Sequence, residues 1–306
     1  TYSPLNIYIY LLLQKPEKSG FFLYYDCAVL YQHSISATSN NQQEIITMIK
    51  RLLLGIAILI AVVGFLALQM GGKGTVNGQP IVYAGSASPL LAAEHKQLNI
   101  LIFGGTSGIG LETTKLALAR GHLVTSITRR PERMPIEHDN LNNLKGDITD
   151  SNTFNNLVGG KSAIISTIGL KPSSNDVTVY SQGIKNVLAA GKDAGTNRIV
   201  TVTGIGAGDS KGHGGIFYDR ILNPLLLKTD YADKTRQEKI LKSSDSQWTI
   251  VRPGFLVDEA SEKAYRVLDK TDGLVSGSIS RADVAHFLLA SVEQNTYVQQ
   301  TVFLSN

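Results

Sequence analysis

The sequence of 306 residues predicts an α/β protein with a doubly wound parallel sheet in residues 98–306. From Leu98 onward, short apolar runs alternate with amphipathic stretches, which is typical of a parallel sheet covered by helices on both faces. The first apolar run leads directly into a glycine-rich turn, GGTSGIG at 104–110. Only ten of the 29 Lys and Arg and 25 Asp and Glu residues precede residue 98, so the region before the sheet is a different kind of polypeptide.

That earlier region divides into three predicted parts. Residues 1–47 show no sustained period, and Met48 with the basic residues that follow it is typical of a translation start. We therefore leave the structure of residues 1–47 unassigned and interpret them as a segment that the mature protein could lack. Residues 48–72 are predicted as a membrane anchor or signal segment, and 73–97, rich in Gly, Ala and Ser, as a linker.

The segment 52–68, LLLGIAILIAVVGFLAL, is almost purely aliphatic and is close to the length that spans a bilayer. We expect a single-pass membrane helix, with a cleaved signal peptide and a buried helix as the alternatives. Lys50 and Arg51 favour a cytosolic N-terminus by the positive-inside rule, but Lys73 and Lys96 beyond the segment weaken the bias. The side of the membrane on which the sheet domain lies stays open.

The candidate strands of the sheet are short runs of mainly apolar residues. They are NILIF (99–103), LVTSIT (123–128), the NNLKGD region (142–147), SAIISTI (162–168), RIVTVT (198–203) and QWTIVR (247–252). Helices are expected between them. One has apolar and small residues at helical spacing from Tyr180 to Gly191 and ends at the stop signal Gly195.

Composition excludes several function classes. The net charge of +4 is split evenly at residue 98, so no concentrated basic surface predicts nucleic-acid binding. The single cysteine, Cys27, excludes an intramolecular disulfide framework and a multi-cysteine zinc site. The six histidines show no paired metal-ligand spacing. We therefore expect neither a nucleic-acid partner nor a metal enzyme.

The GGTSGIG turn between the first strand and a predicted helix has the context of a dinucleotide-binding motif. Gly104 permits a tight turn, Gly108 lets backbone N–H groups approach a pyrophosphate, and Gly110 permits close helix packing. At the head of an alternating series, the motif favours a Rossmann fold that binds a nicotinamide dinucleotide over a merely structural turn.

The end of the second strand distinguishes the two nicotinamide dinucleotides. A carboxylate that would bind the ribose 2′-hydroxyl of NAD is absent there, and the sequence reads Thr128, Arg129, Arg130 and Pro131. Two guanidinium groups would bind a 2′-phosphate, so NADP(H) is favoured over NAD(H). The alternative is that both arginines are solvated loop charges.

Several motifs together resemble the atypical short-chain dehydrogenase/reductase superfamily. They are the glycine turn, GDITD (146–150), YSQGIKNVLAAGKDAGTNRIV (180–200), TIVRPG (249–254) and ISRADVA (279–285). Within that superfamily, the sequence is most similar to the NAD(P)H-binding group that includes NmrA-like proteins and biliverdin reductase B. The resemblance covers residues 98–306 and implies a Rossmann domain.

The resemblance also implies a cofactor role for particular residues. Those expected around the pyrophosphate and the 2′-phosphate are Gly104, Thr106, Ser107, Gly108, Ile109, Gly110, Arg129 and Arg130. Those expected beside the adenine and the ribose are Asp147, Ile148, Thr167, Ile168 and Gly169, and those around the nicotinamide are Thr203, Gly204, Pro253, Gly254 and Phe255. Asp147 could instead be a turn residue, and Pro253 with Gly254 could simply end a strand.

The sequence departs from the family at the catalytic pair. Many short-chain enzymes use Tyr-x-x-x-Lys, in which the lysine lowers the pKa of the tyrosine, and this motif is absent here. On the corresponding helix, Asp230 occupies the tyrosine position, and Tyr231 and Lys234 are three residues apart. A displaced Tyr231 and Lys234 pair, assisted by Thr203, is the catalytic hypothesis, although three-residue spacing turns the tyrosine by about 100 degrees.

Without the usual acid, reduction of a ketone is poorly supported. A conjugated acceptor such as a flavin or quinone needs less proton donation, because electron delocalisation is a property of the acceptor. We therefore expect an NADPH-dependent reductase of a small conjugated substrate, with loop 204–220 as its lid and Asp209, His213 and Tyr218 as polar contacts. The alternatives are a non-catalytic NADP-sensing regulator or membrane-complex assembly factor, and a nucleotide-sugar epimerase or dehydratase.

Overall fold

The computed structural model describes residues 46–60, 75–76, 79–80, 96–170, 175–214, 219–220, 227–259, 265–272 and 274–305. The chain divides into two compact units, Thr1–Phe65 and Leu66–Asn306. In the first unit, residues 46–60 are helical. All the elements numbered below belong to the second unit.

The predicted membrane-spanning helix is wrong. The described helical residues 46–60 include the two charged residues Lys50 and Arg51. Among the described residues, no helix combines the necessary length with the necessary apolarity. The rest of segment 52–68 lies outside the described residues. The prediction of a single-pass membrane protein is corrected with it.

The second unit is built on one eight-stranded sheet. Its strands are β3 (Asn99–Phe103), β4 (Leu123–Thr128), β5 (Leu141–Lys145), β6 (Ala163–Ser166), β7 (Arg198–Val202), β8 (Gln247–Pro253), β10 (Arg266–Leu268) and β13 (Gln300–Ser305). The order across the sheet is β10-β13-β8-β7-β6-β3-β4-β5. All neighbours are parallel except β10 and β13, which are antiparallel. The direction of winding reverses between β3 and β6, and in open α/β sheets ligands bind at that point.

Smaller strands accompany this sheet. β1 (Thr75–Val76) pairs antiparallel with β2 (Gln79–Pro80) and with β11 (Leu274–Val275), so the range predicted as a linker contains two short strands. β9 (Phe255–Val257) and β12 (Ser278–Ser280) form a parallel pair.

Four helices cover the two faces of the sheet. They are α1 (Gly108–Ala119), α2 (Val179–Ala194), α3 (Lys228–Lys242) and α4 (Arg281–Glu293). α1 packs against α4, and α2 packs against α3. Successive residues of β3 face opposite sides, so that Ile100 and Ile102 join one buried cluster and Leu101 and Phe103 join the other. Burial on both faces explains why this strand is a continuous apolar run.

The far end of α4 is tied to the amino-terminal edge of the sheet. The buried carboxylate of Glu293 accepts hydrogen bonds from Arg120 Nη1 at 2.5 Å and from His122 Nε2 at 2.8 Å. His122 Nδ1 accepts from the backbone N–H of Leu98 at 3.2 Å, so the proton lies on Nε2. This ion pair joins the ends of α1 and α4.

The predicted α/β fold with a doubly wound parallel sheet is confirmed. The predicted helix at Tyr180 begins one residue earlier, and it ends before Gly195, which has a left-handed backbone with φ 73°. The predicted strand 142–147 is shorter, because Gly146 follows Lys145 into a turn in which Asp147 Oδ1 accepts from the N–H of Thr149. The sequence therefore predicted the existence of these elements better than their ends.

We predict that Gly110→Ala destabilises the fold through close packing at the start of α1. A Cβ at residue 110 would overlap the carbonyl oxygen of Gly104 and the hydroxyl of Thr167. The free energy of unfolding, measured by urea denaturation, should fall by about 1–3 kcal/mol or more. Gly159 is a matched control, because nothing lies within 4 Å of a Cβ added there. Equal stability of Gly110→Ala and Gly159→Ala would contradict the prediction.

Candidate functional site

The glycine turn after β3 holds three strand ends together. Gly104 has φ 87° and Gly108 has φ 53°, values that residues with side chains rarely adopt. The N–H of Gly104 donates to the carbonyl of Ile127 at the end of β4, at 3.2 Å. On the other side, the N–H and the hydroxyl of Thr167 both donate to the carbonyl of Phe103, at 3.0 and 2.9 Å. The turn therefore lies at the point where the order of strands in the sheet reverses.

The start of α1 presents backbone N–H groups beside this turn. Ser107 is the N-cap residue with extended backbone, its side chain makes no capping bond, and the first turn contains no acidic residue. The first N–H groups of a helix have no partner within the helix and carry partial positive charge. Such a helix start is suited to binding an anion.

An open cleft adjoins the turn and the ends of β4, β5 and β6. Ten of the residues predicted to bind the cofactor line it, namely Gly104, Thr106, Ser107, Arg129, Arg130, Asp147, Ile148, Thr167, Ile168 and Gly169. Gly108, Ile109 and Gly110 begin α1 next to it. The structure thus brings together residues that are up to 65 positions apart in the sequence.

Arg133 is a cleft residue that the sequence analysis missed. It ends a short 3-10 helix, Pro131–Arg133, and lines the cleft with Arg129 and Arg130. Its N–H donates to the carbonyl of Arg130 at 3.1 Å, so the turn brings the third arginine back beside the first two. The signal was present in the sequence as RRPER, because proline favours the start of a helical turn.

The residues predicted to surround the nicotinamide lie outside the lining of this cleft, at the ends of β7 and β8. The N–H of Thr203 donates to the carbonyl of Val251 at 2.8 Å, and that of Ile205 donates to the carbonyl of Pro253 at 3.3 Å. Gly204 lies beside the Tyr231 ring, whose hydroxyl oxygen is 2.9 Å from the place of a Cβ. Gly254 and Phe255 continue from β8 into β9.

Thr203 is the first member of a buried polar network. Its hydroxyl donates to Glu238 Oε1 at 2.8 Å, and the same carboxylate accepts from Arg252 Nε at 2.9 Å and from Arg252 Nη2 at 2.5 Å. Glu238 and Arg252 are both 2% exposed. Arg252 Nη1 also pairs with Asp209 at 2.5 Å. The hydroxyl proton of Thr203 is therefore directed toward a buried carboxylate.

The charges of this network shift the pKa values of two members. Burial alone would lower the pKa of Arg252, but its bonds to Glu238 and Asp209 outweigh burial and raise it. Burial would raise the pKa of Asp209, but the hydrogen bond and the charge of Arg252 outweigh burial and lower it. Both groups are thus held in their charged forms.

Lys234 belongs to a second network on α3. Its ammonium pairs with Asp230 Oδ2 at 2.9 Å, one turn earlier on the helix. It lies over the rings of Tyr231 and Tyr180, at 4.7 and 5.1 Å from their centroids. Lys234 therefore contacts the face of the Tyr231 ring and has its ion pair with the residue that replaces the family's tyrosine.

The buried Tyr180 completes this second network. Its hydroxyl donates to Asp230 Oδ1 at 2.6 Å and accepts from the N–H of Leu170 at 3.2 Å. Burial, and then the hydrogen bond and charge of Asp230, raise the pKa of the Tyr180 phenol well above its ordinary value. Leu170 follows directly after Gly169 of the cleft, so this network adjoins the cleft. The sequence analysis did not single out Tyr180 as a polar site residue.

The predicted lid is described only over residues 204–214 and 219–220. Asp209 is bonded to Arg252, and His213 Nδ1 lies 2.9 Å from the carbonyl oxygen of Leu274. Tyr218 lies outside the described residues. A substrate role for this loop stays a prediction.

The sheet order and the cleft beside a glycine turn define a Rossmann-fold protein with an open site at the switch point of its sheet. A model of the NAD(P)H-binding family matches residues 104–295. The chain belongs to that NAD(P)H-binding family, and the predicted resemblance is confirmed. Binding of a nicotinamide dinucleotide is thus a family property.

Three known proteins illustrate this relationship. An uncharacterised chloroplast protein of Arabidopsis thaliana is 27% identical over 212 residues, which cover 65% of this chain and 73% of that protein. The anaerobilin reductase ChuY of Escherichia coli O157:H7 has 24% identity and a TM-score of 0.56, over 68% of this chain and 96% of that one. A short-chain dehydrogenase/reductase of Veillonella parvula, solved with NADP, has 13% identity and a TM-score of 0.59, over 69% and 95% of the two chains. The two structures show a shared fold.

We predict that Tyr180 makes the free energy of unfolding fall as the pH rises through the alkaline range. An unfolded tyrosine ionises near pH 10, whereas Tyr180 stays protonated in the fold, so its contribution is full below about pH 10 and is lost as the pH rises toward its raised folded value. Tyr180→Phe should lower the free energy of unfolding at pH 8 by about 1–3 kcal/mol, since Asp230 loses a hydrogen bond. The decrease in the free energy of unfolding between pH 10 and 11 should be less steep in Tyr180→Phe than in the parent chain. Urea denaturation at the three pH values tests this, and an unchanged slope would contradict it.

Proposed function

We propose that this chain is an NADPH-dependent reductase that transfers hydride to a small conjugated acceptor such as a flavin or a quinone. The observation that carries the proposal is that the catalytic candidates Thr203 and Lys234, and the neighbouring Tyr180, bind buried carboxylates. The Thr203 hydroxyl donates to Glu238, and the Tyr180 hydroxyl and the Lys234 ammonium both bind Asp230. These groups donate their hydrogen bonds to carboxylates rather than toward a substrate. The arrangement therefore favours a substrate that takes up hydride without a proton from the protein.

The pyrophosphate would bind at the glycine turn and the start of α1. Thr106 and Ser107 line the cleft there, and Gly108, Ile109 and Gly110 provide the first N–H groups of the helix. Backbone N–H groups and the positive end of the helix dipole together stabilise a bound phosphate. Thr167, Ile168 and Gly169, along the opposite wall, would contact the ribose.

The adenosine end of the cofactor would bind between two loops. Asp147 and Ile148 line the cleft beside the ends of β4 and β5, where the adenine would lie. Arg129, Arg130 and Arg133 surround the same end of the cleft, and all three side chains are exposed. Three exposed guanidinium groups on one loop favour a 2′-phosphate, which supports NADP(H) over NAD(H).

At the nicotinamide end, Lys234 would orient the cofactor rather than activate a tyrosine. Its ammonium lies over the Tyr231 ring face, and a lysine lowers a phenol's pKa most when it is close to the hydroxyl. Gly204, Pro253, Gly254 and Phe255 would form the wall around the nicotinamide. In this proposal, a bound reduced nicotinamide would supply the hydride, and the acceptor's own delocalised electrons would stabilise the resulting anion until solvent protonated it.

The arginine cluster predicts cofactor preference. Arg133→Gln should weaken binding of NADPH by about 10- to 100-fold, since a charge-assisted hydrogen bond is lost, and should change NADH binding little. Lys115→Gln removes the same charge from an exposed position on α1, where Lys115 pairs with Glu112, and should leave both affinities unchanged. Isothermal titration calorimetry measures all four constants. Equal losses for NADPH and NADH would remove the argument for the 2′-phosphate.

The acceptor hypothesis is tested by steady-state oxidation of NADPH with a panel of flavins and quinones. We expect turnover with at least one acceptor, and Lys234→Met should lower kcat/KM by about tenfold or more because the ribose loses a charged partner. Thr203→Val should have a smaller effect, since its proton is directed to Glu238. Lys115→Met is the control for loss of a lysine.

The same assay distinguishes the reductase from a regulatory protein. Tight binding of NADPH with no turnover on any acceptor would contradict the reductase hypothesis. It would favour a protein in which cofactor occupancy sets the conformation of a partner surface.

A further inference from the structure

Arg281 is the first residue of α4 and lies against the glycine turn. A Cβ added to Gly108 would be 3.8 Å from both Cδ and Nε of Arg281. α1 and α4 pack together, and Gly108 and Arg281 are the first residues of the two helices. The guanidinium is thus carried to the side of the turn where the first N–H groups of α1 begin.

The partner of Arg281 is an exposed carboxylate. Arg281 Nη1 donates to Asp258 Oδ1 at 2.6 Å, and the side chains of Arg281 and Asp258 are 29% and 86% exposed. β9 and β12 are parallel with Val257 opposite Ser280, so that Asp258 and Arg281 are the residues that directly follow the two strands. An ion pair this exposed contributes little to stability, and breaking it costs little.

We propose that Arg281 is a cofactor-binding residue whose guanidinium binds the pyrophosphate of the dinucleotide, exchanging Asp258 for phosphate oxygens. This inference rests on the proposed binding of NADPH at the glycine turn. Guanidinium groups bind phosphate with paired, charge-assisted hydrogen bonds. Arg129, Arg130 and Arg133 serve the adenosine end of the cleft, so that Arg281 adds positive charge at the phosphate bridge itself.

The exchange gives Asp258 an opposing role. Its carboxylate holds Arg281 when the site is empty, and its negative charge lies near the place where the pyrophosphate would bind. Binding of the pyrophosphate must therefore break the Arg281–Asp258 ion pair and overcome repulsion by the Asp258 carboxylate. A neutral residue at position 258 frees the guanidinium before the cofactor arrives.

Two variants that break the same ion pair test the proposal. Arg281→Gln and Asp258→Asn should change the free energy of unfolding of the empty protein equally. Titration calorimetry should then show opposite effects: Arg281→Gln weakens NADPH and NADH by the same factor, about 10- to 100-fold, whereas Asp258→Asn binds both at least as tightly as the parent chain.

Two further probes locate the effect on the cofactor. Adenosine 2′,5′-bisphosphate carries the 2′-phosphate but lacks the second phosphate of the bridge, so Arg281→Gln should weaken it less than it weakens NADPH. Arg133→Gln should show the reverse pattern, with a similar loss for the bisphosphate and for NADPH and little loss for NADH.

The outcomes distinguish a failure of this inference from a failure of the proposed function on which it rests. Weaker binding in both Arg281→Gln and Asp258→Asn, or unchanged binding in Arg281→Gln, overturns the role of Arg281 while NADPH binding by the parent chain stands. A parent chain that binds neither NADPH nor NADH overturns the proposed function and this inference together.

Discussion

Close packing of bare backbone at the glycine turn is the constraint on which the site depends. The Gly104 carbonyl and the Thr167 hydroxyl fill the space where a side chain of residue 110 would lie. α1 can therefore start directly against the ends of β3 and β6, where the sheet reverses its winding direction. The same contact brings the positive end of the helix dipole to the cleft. A helix start suited to an anion thus results from the close packing of the helix against the sheet.

Two buried carboxylates on α3 bind the polar groups at the end of the site where the nicotinamide is proposed to lie. Glu238 holds Thr203 and Arg252, and Asp230 holds Tyr180 and Lys234. In the short-chain enzymes that this chain resembles, this helix carries a phenol at the position of Asp230, whereas here that position is a carboxylate that accepts hydrogen bonds and Tyr231 is the next residue. These two carboxylates therefore bind the surrounding donors, and this arrangement supports the proposal of a conjugated acceptor rather than a ketone.

The sequence predicted the sheet and the cleft well because both depend on local patterns. NILIF followed by GGTSGIG is a strand and a turn whose φ values only glycine tolerates easily, so the pattern determines the geometry. The predicted membrane helix was wrong, because no helix among the described residues has both the length and the apolarity that crossing a bilayer requires. Arg133 and Tyr180 were missed for another reason: their positions depend on a proline turn and on a contact with α3, which is distant in sequence.

The anchoring of α4 by Glu293 limits how the protein can respond to its coenzyme. A helix whose far end is fixed to Arg120 and His122 cannot slide along α1 without disrupting buried charges. A change on binding is then expected in the exposed side chains at the start of α4 rather than in the packing of α1 against α4. Asp258 is 86% exposed, so the carboxylate that the proposed exchange would release faces solvent rather than the buried contacts of the helices.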